Sequence, residues 1–577
     1  MADKTTDKNL RQKQAVTRIV IMVAILICVN ILASYFHAGI DLTKEKRFTL
    51  TPTTKKLLHN MQETAVVEVY LKGKFPAELQ RMQEAVRERL RSFKDIAGNR
   101  IIVKFTDPFE GKNESEQKLI AHDLAEKGIR LLELQNKDED EYSSKPFFPY
   151  ALVHYNGKEM SVMLLEDPPG KTAAEKISYA EAMLEYKFAN AINQLSRPDR
   201  AHIAYITGNG QDLGISSFDM LACIPRYYDL DTVDLNHVLH ISRAYDAIIM
   251  AQPTIPFTGP QKLKIDQYVM HGGHVLWALS MLNANMDSLR NSPQLIAMEY
   301  GLGLDDILFK YGVRVNNDLV EDLQCMQLGR INPVNGQREF PDWIYFPKLN
   351  PTADHPIVRN MDFIRGGFTN SIDTLKSAGI KKTVLLQSSK YSRRAMAPAR
   401  VSLSTMLYPQ KNEMFNKPYQ PVAMLLEGQF HSVYQNLLAP EYLRLLDSLK
   451  EPFKPVCDSA GSMIIVSVGD IFRNEYSAKE GPMQMGYYHW TGEFFANRSF
   501  LLNCLEYLTD RSGILEARSK EVKLRLLDTG RAKDEKTKWQ FINVVIPIAM
   551  VLVFASCYFF FRKRKYEVKQ NEAKPLS

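Results

Sequence analysis

The sequence predicts an α/β protein: two folded modules set between two transmembrane helices. Three observations carry this expectation. Between residues 200 and 280 the apolar runs Ala201–Thr207, Tyr245–Pro253 and His274–Leu279 alternate with a helical segment, Gln261–Met270. Short, nearly continuous apolar strands separated by helices read as a doubly wound parallel sheet covered on both faces. Upstream, residues 60–195 repeat strand and helix patterns on a smaller scale. Finally, Ile19–Phe36 and Trp539–Phe561 carry no charge and are long enough to cross a bilayer core.

Composition agrees. A chain of 577 residues, 45% hydrophobic and 24% charged, is expected to form several folded domains. Tyr35, Phe36 and His37 are poor residues for a signal cleavage site, so the first apolar run is read as a retained anchor. Lys4, Lys8, Arg11, Lys13 and Arg18 against Asp3 and Asp7 give the first tail a charge of +3. Arg562, Lys563, Arg564, Lys565, Lys569 and Lys574 against Glu567 and Glu572 give the last tail +4. Together these make up the whole formal charge of +7, so the middle region is formally neutral. Lys and Arg beside membrane spans stay cytoplasmic, which places both tails inside and the body outside. The basicity is therefore an orientation signal and not a nucleic-acid footprint. Cys28 and Cys557 fall within the spans. Cys223, Cys325, Cys457 and Cys504 have no metal or redox spacing, and the sequence leaves open whether they pair or remain buried thiols.

Taken in order, Ile40–Lys55 reads as a juxtamembrane strand leading into a helix, with Thr51 as N-cap and Pro52 at the first helical position. Val66–Tyr70 is a strand. Phe75, Leu79, Met82, Val86, Leu90 and Phe93 form the stripe of an amphipathic helix. Ile101–Phe105 is a second strand, Glu114–Lys127 a helix stopped by Gly128, and Ile129–Leu134 a third strand. Tyr150–Tyr155 and Glu159–Leu165 flank the hairpin signal Asn156-Gly157. Glu175–Leu195 is a long helix, and Ser196–Arg200 a linker. The order β-α-β-α-β-β-α resembles a thioredoxin-like fold. Its redox Cys-x-x-Cys is replaced by Leu71–Pro76, so the module is read as structural.

In the second module, Pro293–Tyr300 and Leu304–Tyr311 read as helices. Thr383–Gln387, Val422–Leu426 and Met463–Gly469 read as strands, and Glu493–Leu508 as a closing helix. Residues 327–360 and 388–420, rich in Pro, Asn and Arg, are expected to be long irregular interaction loops. Residues 514–538 read as a juxtamembrane helix or stalk.

Candidate chemistry is sparse. Gly208-Asn209-Gly210-Gln211 follows a strand and would suit an anion on backbone N–H groups, but lacks GxGxxG spacing; a tight turn is the simpler reading. No Gly-x4-Gly-Lys-Ser/Thr is present, so the chain hydrolyses no nucleotide through a P-loop. His271 and His274 lack a third metal ligand. Ser280 and Cys223 lack the flanking glycines of a nucleophile elbow. Ser388, Lys390, Arg393 and Arg394, with Arg400 behind them, form a polar, basic stretch suited to a carboxylate, a phosphate or an acidic partner. Asp470 sits at a strand's C-terminal edge, where its simplest role is capping the next turn. No catalytic, cofactor or metal residue is assigned. Gly208, Asn209, Gly210, Gln211, Ser388, Lys390, Arg393 and Arg394 stand as candidate ligand or partner loops.

The chain resembles the gliding-motility-associated ABC-transporter auxiliary proteins, the GldG-like family. The likeness is carried by Asp41–Leu50, Leu184–Ile192, Ile206–Gly210, Ile265–Gly273 and Val466–Ile471, in order, and by the two-anchor layout. It implies a thioredoxin-like first module and a second similar to intraflagellar-transport and class I glutamine amidotransferase sheets. The amidotransferase triad has no counterpart here. It also implies a polytopic permease and a cytoplasmic ATPase as partners, in the inner membrane of a gliding-type bacterium, with other envelope proteins as further partners.

The expected layout is a cytoplasmic tail 1–18, a span 19–37, a thioredoxin-like periplasmic domain 38–199 and an α/β periplasmic domain 200–513. A stalk 514–538, a span 539–561 and a basic cytoplasmic tail 562–577 follow. Asn30, Gln540 and Asn543 offer polar contacts within the spans. The expected function is a non-catalytic membrane-anchored subunit that couples a permease to an envelope ligand or partner. The alternatives are a periplasmic hydrolase or transferase built around Ser280, His271 and Gly210, and a sugar- or peptide-binding receptor.

Overall fold

The computed structural model describes residues 17–28, 49–73, 75–129, 131–135, 144–165, 172–332, 336–352, 355–438, 440–448, 452–479, 481–510, 512–519 and 535–571. The expected juxtamembrane strand at 40–48, Asn30 and most of the stalk lie outside these. The chain divides into two compact units, Met1–Val522 and Lys523–Ser577.

In the first unit the local signals act as their chemistry dictates. Thr51 caps α1 (Pro52–His59) by accepting from the Thr54 N–H, with Pro52 at the start. Strand β1 (Ala65–Val69) leads to α2 (Ala77–Ala97), whose Leu79, Met82, Val86, Leu90 and Phe93 are buried as the stripe requires. Strand β2 (Ile101–Phe105) runs parallel to β1. Helix α3 (Glu114–Glu126) opens on an Asn113/Glu116 capping box, and Gly128 leaves it at φ +80°. Leu132–Gln135 (β3) pairs with Ser144–Phe147 (β4). Then β5 (Tyr150–Tyr155) and β6 (Lys158–Met163) form the expected hairpin, with Asn156 and Gly157 at φ 51° and 70°. The small sheet runs β2-β1-β5-β6 and is followed by α4 (Ala173–Ser196).

The large sheet is ten-stranded and mixed. Its parallel half comprises β7 (His202–Thr207), β8 (Asp229–Asp234), β9 (Ala247–Ala251), β10 (His274–Ala278) and the last strand to join, Gly461–Val466. Alternate residues face opposite ways: Ile203, Tyr205, Ile249 and Leu276 join one core, and Ala204, Ile206, Ile248 and Trp277 the other. That two-sided burial is why these strands read as unbroken apolar runs.

The parallel expectation stops at the middle of the sheet. The chain next forms β11 (Gln294–Glu299), α5 (Asp305–Lys310), β12 (Asp318–Asp322) and β13 (Cys325–Gln327). It continues with β14 (Asp342–Pro351), β15 (Ile380–Gln387), β16 (Ser392–Met396), β17 (Ala399–Ser402) and β18 (Pro421–Gly428), before β19 (Gly461–Val466). From β19 outward, β18, β15, β14 and β13 pair antiparallel.

Four local expectations are corrected here. Residues 293–300 form strand β11, paired antiparallel with β17, and not a helix. The segments expected to be irregular contain β14, β16 and β17, which pack around Trp343, Phe346 and Phe415. The closing helix, α6 (Asn497–Thr509), begins later than expected, because Glu493–Phe494 pairs with Tyr487–Tyr488. Ile514–Ser519, assigned to the stalk, is a 3-10 turn whose Ile514, Leu515 and Ala517 are buried.

One core contains Leu58, Phe93 and Phe188 of the first module together with Ile203, Leu505 and Leu515 of the second. Cys223, Cys325, Cys457 and Cys504 are separate, buried thiols.

In the second unit, Lys536–Asn571 is a helix, and its Lys536–Arg564 stretch is long and apolar enough to cross a membrane. A shorter apolar helix, Thr17–Cys28, occupies the described part of the first expected span.

Candidate ligand-binding cleft and the expected loops

The turn after β7 is held by its own side chains. Asn209 donates its N–H to Gln211 Oε1 (2.8 Å), and its amide reaches Pro256 O and Gln261 Oε1. Its carbonyl accepts from Thr254 and Ile255. A Cβ at Gly208 would lie 2.6 Å from Asp234 Oδ1, and one at Gly210 would lie 2.2 Å from Thr254 Oγ1. Both glycines also have positive φ, so this turn needs glycine for close packing.

Beside it, Asp212 accepts from the Ser216 and Ser217 hydroxyls and shares a small space with Arg473 and Tyr205, whose Oη donates to the Asp212 carbonyl. Burial pushes the Asp212 carboxyl up, but hydrogen bonds from Ser216 and the Gly214 N–H, with Arg473 nearby, hold it below the usual range. The space left among these groups is about 10 Å³. Asp470, close by, is raised by burial against the pull of Arg365 and Arg473, and its carbonyl accepts from the Arg473 N–H.

The groups of the hydrolase reading take different partners. Ser280 Oγ accepts the Gly469 N–H (3.0 Å), His271 Nδ1 lies 2.7 Å from Gln267 O, and Gly210 packs on Thr254. No cluster of three metal-ligating side chains forms among the described residues.

The basic stretch is a strand with its charges engaged. Arg394 Nε donates to Asp318 Oδ2 and Arg393 Nε to Glu321 Oε2, each at 2.5 Å, across the β12/β16 pair. Arg393 also lies over the Phe415 ring. Burial raises the Glu321 carboxyl, with Arg393 opposing. Ser388 is buried, bonded to Ser392 Oγ and to the Gln420 N–H. Lys390 is exposed and lies 4.6 Å from the Tyr391 ring centre. Arg400 donates to Gln294 Oε1.

The larger cavity, about 170 Å³, lies where the first module meets the sheet. Tyr179, Met183, Tyr186, Lys187 and Asn190 line it from one face of α4, and Ser499, Leu502, Asn503 and Glu506 from one face of α6. β6, Tyr227, Tyr228 and Arg518 complete the walls.

Glu506, 2% exposed, receives Gln194 Nε2 (2.6 Å) and Tyr228 Oη (3.2 Å) on Oε2. Burial, reinforced by Asp510, pushes its carboxyl up to about 7; Arg197, Gln194 and Tyr228 pull the other way. Arg518, 4% exposed, donates to Asn503 Oδ1 and lies over the Tyr186 ring. Burial, above all, raises the Tyr186 phenol. Glu506 Oε1, Arg518 Nε and Asn190 Oδ1 have no hydrogen-bond partner among the described residues. The sequence did carry a signal for this site: an acidic residue, Glu506, inside the apolar closing helix.

Comparisons with known proteins place the chain. Residues 44–154 match a domain of unknown function. An uncharacterized protein of Borreliella burgdorferi is 20% identical over 545 residues, 91% of this chain and 93% of that one. Among solved structures, the mmIFT52 N-terminal domain is 11% identical with a TM-score of 0.29, covering 54% of this chain and 97% of that chain. Residues 200–504, more than half of the chain, match the auxiliary family described as an ABC-type uncharacterized transport system, and the protein belongs to that family.

Proposed function

We propose that the protein is a non-catalytic, membrane-anchored subunit of an ABC-type complex, joined to a polytopic permease and a cytoplasmic ATPase. In this reading both tails are cytoplasmic and the body, 38–513, is periplasmic, with the finer assignment to gliding-type envelope machinery resting on the resemblance of the sequence. The observation that carries the reading is where the body starts and stops. Helix α1, the first described helix after the first apolar run, packs with Ile514–Ser519, near the start of the stalk: Leu58, Ile514 and Leu515 share one core, and Thr53 Oγ1 donates to Glu516 Oε2. A body whose two ends meet suits two anchors in the same bilayer face. The apolar Lys536–Arg564 stretch, with the basic run Arg562-Lys563-Arg564-Lys565 at its end and just beyond, supports the second anchor and a cytoplasmic last tail.

The finer fold assignments belong to the same reading. The order β2-β1-β5-β6, with α2 following β1, supports a thioredoxin-like first module. The parallel half of the large sheet supports an amidotransferase-like second one. Gentle detergent extraction followed by mass spectrometry of the intact complex tests the assembly, and recovery of the chain alone refutes it. Protease added to sealed spheroplasts tests the topology: digestion of the body with both tails spared is the expected result.

A further inference from the structure

The cleft between α4 and α6 leaves buried polar atoms of complementary kinds without partners: the acceptors Glu506 Oε1 and Asn190 Oδ1, and the cationic donor Arg518 Nε. Burying such groups unpaired costs free energy that a ligand bearing the opposite groups would recover. The remaining walls are mainly tyrosine, methionine and leucine, apolar bodies suited to a short aliphatic or aromatic group, with Ser161, Ser499 and Lys187, whose ammonium donates to Met163 O, among them. At about 170 Å³ the space is smaller than drug-sized pockets, which run to roughly 300–1,000 Å³, so the ligand is small. We propose that this cleft binds a small zwitterion of the α-amino-acid class, its ammonium held by Glu506 and Asn190 and its carboxylate by Arg518.

Other small ligands fit less well. Inorganic phosphate would bring acceptors against Glu506 and Asn190. A neutral sugar offers Arg518 no anion. The proposal rests on the cleft alone and is independent of the transport reading.

Charge linkage gives it a signature. Glu506 faces Gln194 and Tyr186 from α4, Tyr228 from the turn before β8, and Asp510 paired with Arg197 at 2.9 Å. An ammonium beside Glu506 favours its ionised form, so binding near pH 7 releases a fraction of a proton. A ligand without an ammonium lacks this pull towards the ionised form.

The test uses the full-length protein in detergent and the twenty L-amino acids added singly, with glucose and inorganic phosphate as controls. Calorimetry at pH 7 is run in PIPES and in Tris. The expected result is binding of at least one amino acid with Kd below ~1 mM, with an apparent heat that differs between the buffers by the released proton. Glu506→Gln is expected to weaken it more than tenfold. Ser499→Trp, which fills the half-buried α6 side of the cleft, is expected to abolish it. Unliganded melting midpoints of both variants report that each is folded. The proposal is overturned if no amino acid binds, if glucose or phosphate binds instead, or if either folded variant binds as the parent does. Co-purification with a permease is unaffected by any of these outcomes, so the two ideas fail separately.

Discussion

The Arg394 guanidinium donates to the buried Asp318 carboxylate across 2.5 Å, and the same carboxylate accepts Ser371 through both its N–H (2.8 Å) and its hydroxyl (2.7 Å). Arg394 therefore ties β16 to β12 and, through Asp318, to Ser371, which immediately precedes the short strand Ile372–Thr374. Arg394→Ala leaves Asp318 without its cation in a site closed to water. A loss of about 2–3 kcal/mol is expected. Lys390→Ala, on an exposed side chain of the same stretch, should stay within about 0.5 kcal/mol. Urea unfolding of the two variants side by side checks the contrast, and equal losses would refute it.

Glu506 makes stability depend on pH in a defined direction. Its folded-state value of about 7 lies above its usual 4.5, so the folded protein binds the extra proton between those values. The associated stability is present in full below the lower value and is lost as pH climbs through the upper one, by about 3 kcal/mol in all. Glu506→Gln removes that slope. Melting midpoints from pH 5 to pH 8 should fall more steeply in the parent than in the variant; parallel curves would count against the shifted carboxyl.

The buried thiols should be inert in the folded protein. Burial raises Cys223 to about 11 and Cys325 to about 12, and pushes Cys457 and Cys504 upward as well. Thiolate is the reactive form, so little is present at neutral pH. In a Cys28→Ser/Cys557→Ser background, an aromatic disulfide reagent is expected to titrate none of the four before unfolding and all four after it.

Gly210→Ala tests the turn after β7. The added methyl would meet Thr254 Oγ1 at 2.2 Å in a backbone at φ +82°. A loss of about 1–3 kcal/mol is expected, while Gly259→Ala, with open space around it and no positive φ, should cost far less. Thermal melts of the pair decide it.

Much of this architecture is legible in local residues. Asn156-Gly157 specifies its hairpin, Thr51 and Pro52 specify a helix start, and the unbroken runs at β7, β9 and β10 specify strands buried on both faces. Those signals act within a few residues. What was missed depends on distant partners. Gln294–Glu299 contains good helix formers and becomes a strand because it pairs with Ala399–Ser402, about a hundred residues on. Arg393 and Arg394 look like a solvated basic loop until Glu321 and Asp318 are placed opposite them. Glu506 and Arg518 belong to the cleft only because α4 packs against α6.

The interior shared by Phe93, Phe188, Ile203 and Leu505 runs continuously from the first module into the sheet. Opening it would wet several large side chains at once, at about 1.5–3 kcal/mol apiece. A displacement applied near Thr51 would therefore be expected to tilt module and sheet together, as a lever moves, rather than to bend an internal elbow.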